Sequence, residues 1–411
     1  MRTPIAVALA VAAVVVAATL ASALSLKPQH AGAADAASAH KAARARRGDA
    51  KPRAPPTTLF PPPKFHGYIV LDQFVCESLL CPTWDLSLTR LAVECFTWDC
   101  QHEEKQLATI VPTAPIKFMS FRTLGAYHHK RRLYYTAAIT DVPAASAILY
   151  TAHVNGTFRG ATVISQATFL FPNVTSTLSS LEVTANNTVI AIFRHGAVAT
   201  VDPKTGNVVV VGTLLDGEHG WTHHIGQATT VDQESNTLYA FANNHAGTDP
   251  RWITMDLRTF AVRRNVKQGA LPYIDYAPSA FEVLWVPEIN NLVMFSTSPI
   301  FDNIIYVDPR TGNASYAFFD LMNAGNYLFR DDSGTKHMDT NKNAVYDRAS
   351  KRIYFQATQV QDDDFLTTLV VTPPFAAGAP QPLEWLNTAL QPVDFGYANM
   401  VWTSCDGPCP T

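Results

Sequence analysis

Short apolar runs of β-branched and aromatic residues, each cut off by a tight polar turn, recur along this chain. One copy reads Asp232-Gln-Glu-Ser-Asn-Thr-Leu238-Tyr239 and another Asp347-Arg-Ala-Ser-Lys-Arg-Ile353-Tyr354. Looser copies start their apolar run at Leu91, Leu133, Val189 and Leu292. The unit is clearest at residues 225–267. Ile225–Val231, Leu238–Ala242, Trp252–Asp256 and Phe260–Val266 are strand-like runs separated by turn residues. The last is the most polar of them, as an outer strand would be. No run has the period of a long amphipathic helix, so neighbouring strands are expected to pair through short hairpins.

A repeat of about 50 residues built only of strands and turns predicts an all-β β-propeller, with four-stranded antiparallel blades around a central channel. Six units are countable, so six blades are expected, with seven as the alternative count. Leu91, Leu133, Val189, Leu238, Leu292 and Ile353 should then occupy equivalent second strands. The terminal runs Tyr68–Val75 and Phe395–Thr403 can complete one blade from both ends, which would remove an open sheet edge. Two turns are nearly identical: Asp202-Pro-Lys-Thr-Gly206-Asn207 and Asp308-Pro-Arg-Thr-Gly312-Asn313. Pro presets φ for a type I turn, Asp accepts from the backbone N–H groups that follow, and Gly supplies the positive φ that returns the chain to the hairpin twist. These turns resemble the third-to-fourth-strand hairpins of YVTN-type and quinoprotein-like β-propeller repeats. The resemblance implies the fold and carries no functional residue with it.

Composition changes the picture at the N-terminus. Arg2 precedes an apolar run from Ile5 to Leu24, and Ala21-Ser22-Ala23 has the small-x-small form of a signal-peptidase site. Residues 1–24 therefore read as a signal peptide. Residues 25–64 read as a disordered, basic, Ala/Pro-rich linker with too little large apolar surface to fold. Residues 65–411 read as one propeller domain with no further membrane span. The linker carries eight Lys/Arg against two Asp; once it and Arg2 are taken from the total of −3, residues 65–411 hold −10. An acidic body behind a basic tail argues against nucleic-acid binding by the propeller itself. Arg44-Ala45-Arg46-Arg47 has the form of a processing site and Arg47-Gly48-Asp49 that of an adhesion tripeptide; cleavage after Arg47 would split the second.

The rest of the chain reads as lumenal. Cys76, Cys81, Cys95, Cys100, Cys405 and Cys409 are expected to form disulfides, one of them tying the C-terminus to the N-terminal group. Asn155, Asn173, Asn186 and Asn313 stand in Asn-x-Ser/Thr sequons. Asp339-Thr-Asn341-Lys-Asn343 with Asp347 spaces oxygen donors as a calcium loop does. Ala344 and Ser350 stand where that loop needs Gly and Glu, so Asp347 reads as a turn residue.

Propeller geometry sorts candidate chemistry by face. Loops from second to third strand and from blade to blade share one face. His102, His195, His219, His223, His224, His245 and His337 fall there by the repeat, with Asp249, Asp275, Asp302 and Asp362-Asp363-Asp364. The dense part is Glu218-His219-Gly-Trp221-Thr-His223-His224, flanked by Arg194-His195 and by His245 and Asp249. Arg194, His195, His219, His223, His224, His245 and Asp249 are thus the expected ligand-binding set. Imidazoles of His219, His223 and His245 could hold a divalent metal, the one cofactor this pattern suggests. No nucleophile elbow, phosphate loop or dinucleotide fingerprint occurs. The expectation is a secreted, glycosylated binding module for an extracellular protein or glycan; the alternative is a metal-assisted hydrolase or lyase on the same fold.

Overall fold

The computed structural model describes residues 64–75, 85–95, 102–110, 124–139, 147–153, 158–164, 168–171, 174–217, 222–270, 279–297, 301–321, 335–338, 344–361, 364–383, 387–390 and 400–404. The signal peptide, the linker up to residue 63, His219, Asn155, Asn173 and every cysteine but Cys95 lie outside them, while Lys64, placed in the linker by sequence, opens a strand; Cys95 ends a strand whose side chains are not described. The described residues all fall in one compact unit, 55–411. Among them no helix is long and apolar enough to cross a membrane.

The protein is an all-β propeller of four-stranded antiparallel blades. In chain order, β1 (Lys64–Val75), β2 (Asp85–Cys95) and β3 (His102–Ile110) begin a sheet that the C-terminus finishes. β4 (Leu124–His128), β5 (Leu133–Ile139), β6 (Ala147–His153) and β7 (Phe158–Ile164) form the next. β8 (Thr168–Phe171) adds to β9 (Val174–Val183), β10 (Val189–Phe193), β11 (Ala197–Val201) and β12 (Val208–Thr213). β13 (His223–Asp232), β14 (Thr237–Asn244), β15 (Arg251–Asp256) and β16 (Ala261–Lys267) follow the expected unit closely. β17 (Ser279–Val286), β18 (Asn291–Thr297), β19 (Phe301–Val307) and β20 (Ala314–Leu321) repeat it. β21 (Thr335–Met338) and β22 (Ala344–Asp347) both pair with β23 (Arg352–Gln361), followed by β24 (Asp364–Val371) and β25 (Asn387–Leu390). Finally β26 (Met400–Ser404) pairs antiparallel with β1, Tyr68 opposite Thr403 and Ile69 opposite Trp402.

The two chain ends therefore share a sheet, in the order β26-β1-β2-β3. This corrects one expectation. Leu133, Val189, Leu238, Leu292 and Ile353 lie in second strands, but Leu91 lies in β2, the third, because the C-terminus supplies the inner strand. His102, which opens β3, consequently sits at the end opposite to the one expected.

Packing explains why the second strands are largely apolar. Successive side chains of a strand face opposite ways, and each way lies another blade. Val189, Ala191 and Phe193 of β10 pack with Leu124, Tyr135 and Leu149, while Ile190 and Ile192 pack with Ile225, Leu238 and Met255. β18 divides likewise: Leu292 and Met294 meet Tyr239 and Trp252, and Val293 and Phe295 meet Tyr346 and Phe355. Outer strands carry the polar residues; Arg263 and Arg264 on β16 are exposed.

The turns are built as their residues dictate. Arg132, Asn187, Asn236, Asn290 and Lys351 have φ of 51°, 66°, 52°, 51° and 57°, each at the end of a first-to-second-strand turn. Asn tolerates this left-handed conformation; Arg and Lys do so at a cost. In the third-to-fourth-strand turns, Asp202 Oδ1 accepts from Lys204 N at 2.8 Å and Asp308 Oδ1 from Arg310 N at 2.9 Å. A third copy, Asp256-Leu-Arg-Thr-Phe260-Ala261, has the same bond from Arg258 N at 2.9 Å and puts Phe260 at φ 53° where the others have Gly. Asp347 is a turn residue as expected: its Oδ2 accepts from Ser350 N at 3.1 Å and from Ser350 Oγ at 2.6 Å.

Candidate functional site

Arg194 and His195 sit in the β10–β11 turn. Gly196 closes it at φ +89°, where an added Cβ would stand 2.9 Å from Leu215 Cγ. The turn is tied to the next blade: Leu214 N donates to Gly196 O at 2.7 Å and Ile225 N to Arg194 O at 2.7 Å. His195 is thereby buried and Arg194 left exposed at the start of β13. The β14–β15 loop is shaped by Thr248 N donating to Asn244 Oδ1 at 2.7 Å and by Gly247 at φ +71°. It presents His245 and Asp249.

His223 and His224 are consecutive on β13 and make different contacts. His223, 3% exposed, is hydrogen-bonded through Nδ1 to Thr222 Oγ1 at 2.8 Å and through Nε2 to Asp249 Oδ2 at 2.9 Å. Arg251 Nε donates to the same Asp249 oxygen at 2.9 Å, and Lys267 Nζ lies 3.4 Å from Oδ1. Burial opposes ionisation of Asp249, but Arg251, with His223 and Lys267, outweighs it and brings the carboxyl down to about 2. His224 is half-buried and stacks on His245, ring centroids 5.3 Å apart and planes at 27°. Burial first, then Arg194 and the rings of His245, His195 and His223, push its pKa down to about 4. Its Nδ1 has no hydrogen-bond partner among the described residues.

Arg194, His195, His223, His224, His245 and Asp249 thus lie at one end of two neighbouring blades. His219 lies outside the described residues. Among the described residues no group of three His, Cys, Asp or Glu side chains is placed to share a metal ion. Both ring nitrogens of His223 already have hydrogen bonds, and His224 and His245 meet face to face. Such a site offers neutral imidazole and an exposed guanidinium, a set suited to accept and orient a carboxylate.

Sequence reasoning missed Arg251 and Lys267, and it missed a cavity at the other end of the axis. That cavity, about 110 Å³, lies between inner strands β4, β9, β13, β17 and β22 and is lined by Glu182, Thr229, Glu282 and Arg348 among others. The available signal was a carboxylate inside an apolar inner run: Leu181-Glu182-Val183 and Phe281-Glu282-Val283.

No protein-family model and no curated protein sequence matches the chain. Among solved structures, a chain of the nidogen/laminin complex is similar at 12% identity and TM-score 0.41, over 79% of this chain and 98% of that one. TolB from Acinetobacter baumannii is similar at 10% identity and TM-score 0.42, over 82% of this chain and 66% of that one. A protein from Lactobacillus plantarum is similar at 12% identity and TM-score 0.42, over 79% and 99%. The fold assignment rests on the sheets themselves. By sheet order and by the stacking of its blades, this chain is a β-propeller repeat protein.

Proposed function

We propose that this protein is a secreted, glycosylated, six-bladed β-propeller that acts as an extracellular binding module. Its partner is a carboxylate-bearing surface, an acidic glycan or an acidic protein segment, engaged by Arg194 with His195, His224 and His245. The observation that carries this reading is the His224–His245 stack supplied by one blade near Arg194 of its neighbour, with the His224 ring held neutral mainly by burial and next by Arg194. Six blades are supported by six sheets among the described residues and by the pairing of β26 with β1. Glycosylation is supported by the exposure of Asn186 and Asn313, the two sequon residues that are described. The metal-assisted hydrolase reading has less behind it, because His223 has no ring nitrogen left for an ion.

The test is retention of the mature protein, secreted from cultured eukaryotic cells, on immobilised polyuronate, polyglutamate and neutral dextran at pH 7. Retention on an acidic matrix that weakens at least about tenfold in Arg194→Ala and His245→Ala supports the reading. Equal retention on dextran, or variants that bind like the parent, contradicts it.

A further inference from the structure

We propose that the axial cavity at the end opposite to the histidine cluster is a second binding site, for an uncharged, hydroxyl-rich ligand of monosaccharide size. The cavity opens among the first-to-second-strand turns, where Gln233 and Arg348 reach across the axis. Gln233 Nε2 donates to Tyr127 O at 2.8 Å, in another blade, and Arg348 donates to Asp232 Oδ1 at 3.0 Å, two blades away. Arg348 is also bonded to Glu234. These contacts fix the rim.

Inside, the polar groups are held in single orientations. Ser180 and Thr229 hydroxyls meet at 2.6 Å, and Thr229 Oγ1 donates to Glu182 Oε1 at 2.6 Å. Ser180, Thr229 and Glu282 are 0%, 1% and 1% exposed and Glu182 8%. Inner strands stack blades through apolar residues such as Leu181 and Val183 of β9 and Ile225 of β13, so a carboxylate such as Glu182, oriented by the Thr229 hydroxyl, answers to something in the cavity. Trp285 lines the same space, its ring set by stacking on Tyr239 at 5.0 Å. Carboxylates, an amide and a guanidinium around an aromatic face accept and donate to many hydroxyls at once while covering the apolar face of a ring. A space of about 110 Å³ holds several waters, which such a ligand would replace hydroxyl for hydroxyl. Groups near a metal's needs are not assembled among the described residues, and the lining favours no anion.

The experiment is a calorimetric titration of the secreted protein with a panel of methyl glycosides that spans the common hexose and pentose stereoisomers. Parallel titrations use Glu282→Gln and Glu182→Gln, both near-isosteric, and Arg194→Ala on the far end. We expect saturable one-site binding of at least one glycoside, weakened about tenfold or more in each Gln variant and unchanged in Arg194→Ala. Thermal melts of all variants establish that they are folded; should either Gln variant unfold, Trp285→Phe replaces it. Absence of binding across the panel overturns the proposal. So does binding that the folded cavity variants leave intact, or binding that Arg194→Ala removes.

Discussion

Protonating His224 should destabilise the fold, and by an amount the structure lets us bound. The ring titrates near 6.5 when free and near 4 in the folded chain, mainly because of burial and next because of Arg194. Its folded pKa is the lower one, so the folded state prefers the neutral ring. The stability tied to that preference is complete above pH 6.5 and is lost as pH falls from 6.5 toward 4. At about 1.4 kcal/mol per pH unit the whole interval is worth roughly 3 kcal/mol. The ring is only half-buried, and solvent screening reduces this to about 1–2 kcal/mol. Urea denaturation of the parent and of His224→Gln at pH 7.5, 6.5, 5.5 and 4.5 measures it. Burial and Arg348 hold His129 down to about 4 as well, but His129 is present in both proteins and cancels in the difference. The variant should lose about 1–2 kcal/mol less than the parent across this range. Parallel pH profiles would refute the reasoning and with it the picture of a neutral, desolvated imidazole at the site.

Four further outcomes follow from the geometry. Gly312→Ala should cost about 3 kcal/mol or more, because its Cβ would lie 2.1 Å from Lys267 O at φ +76°. Gly247→Ala, with open space around it, should cost only about 1 kcal/mol in thermal melts; similar losses at both would show that φ alone matters. Lys351→Asn should raise stability by up to about 1 kcal/mol, since Lys351 holds φ 57° where three equivalent turns use Asn, and a lowered melting temperature would count against this. Asp249→Asn should remove about 1–2 kcal/mol at pH 7. That contribution is present above pH 3.8 and disappears as pH falls toward 2, so a deficit that persists in strong acid would point to packing.

The legible part of the fold was the part that obeys one rule at a time. Between Ile225 and Val266, short apolar runs and Asp, Asn and Gly turns gave strands close to those found, because stacked blades demand apolar residues on both faces and the hairpins demand particular turn residues. Leu91 was misplaced because no local pattern records that an inner strand arrives from the opposite chain end. The turn at Asp256 escaped notice because Phe260 occupies the left-handed position that Gly advertises elsewhere, its ring packed against the Ile253 and Met255 cluster. His195, His223, His224 and His245 could be assigned to one end because the repeat sorts loops by end. Glu182 and Glu282 could not: one carboxylate in an apolar run has no period, and only the closed arrangement of inner strands puts the two in one cavity.

The binding reading is tested most directly by a crystal structure of the secreted protein grown with a short oligouronate, with an acidic peptide as the parallel probe. The account predicts carboxylate density within hydrogen-bonding distance of Arg194 and of the His224–His245 pair, at the end where the β10–β11 and β14–β15 turns meet. Density for the probe at any other place on the molecule, or a metal ion held by His223 with the imidazoles turned toward it, would contradict the account.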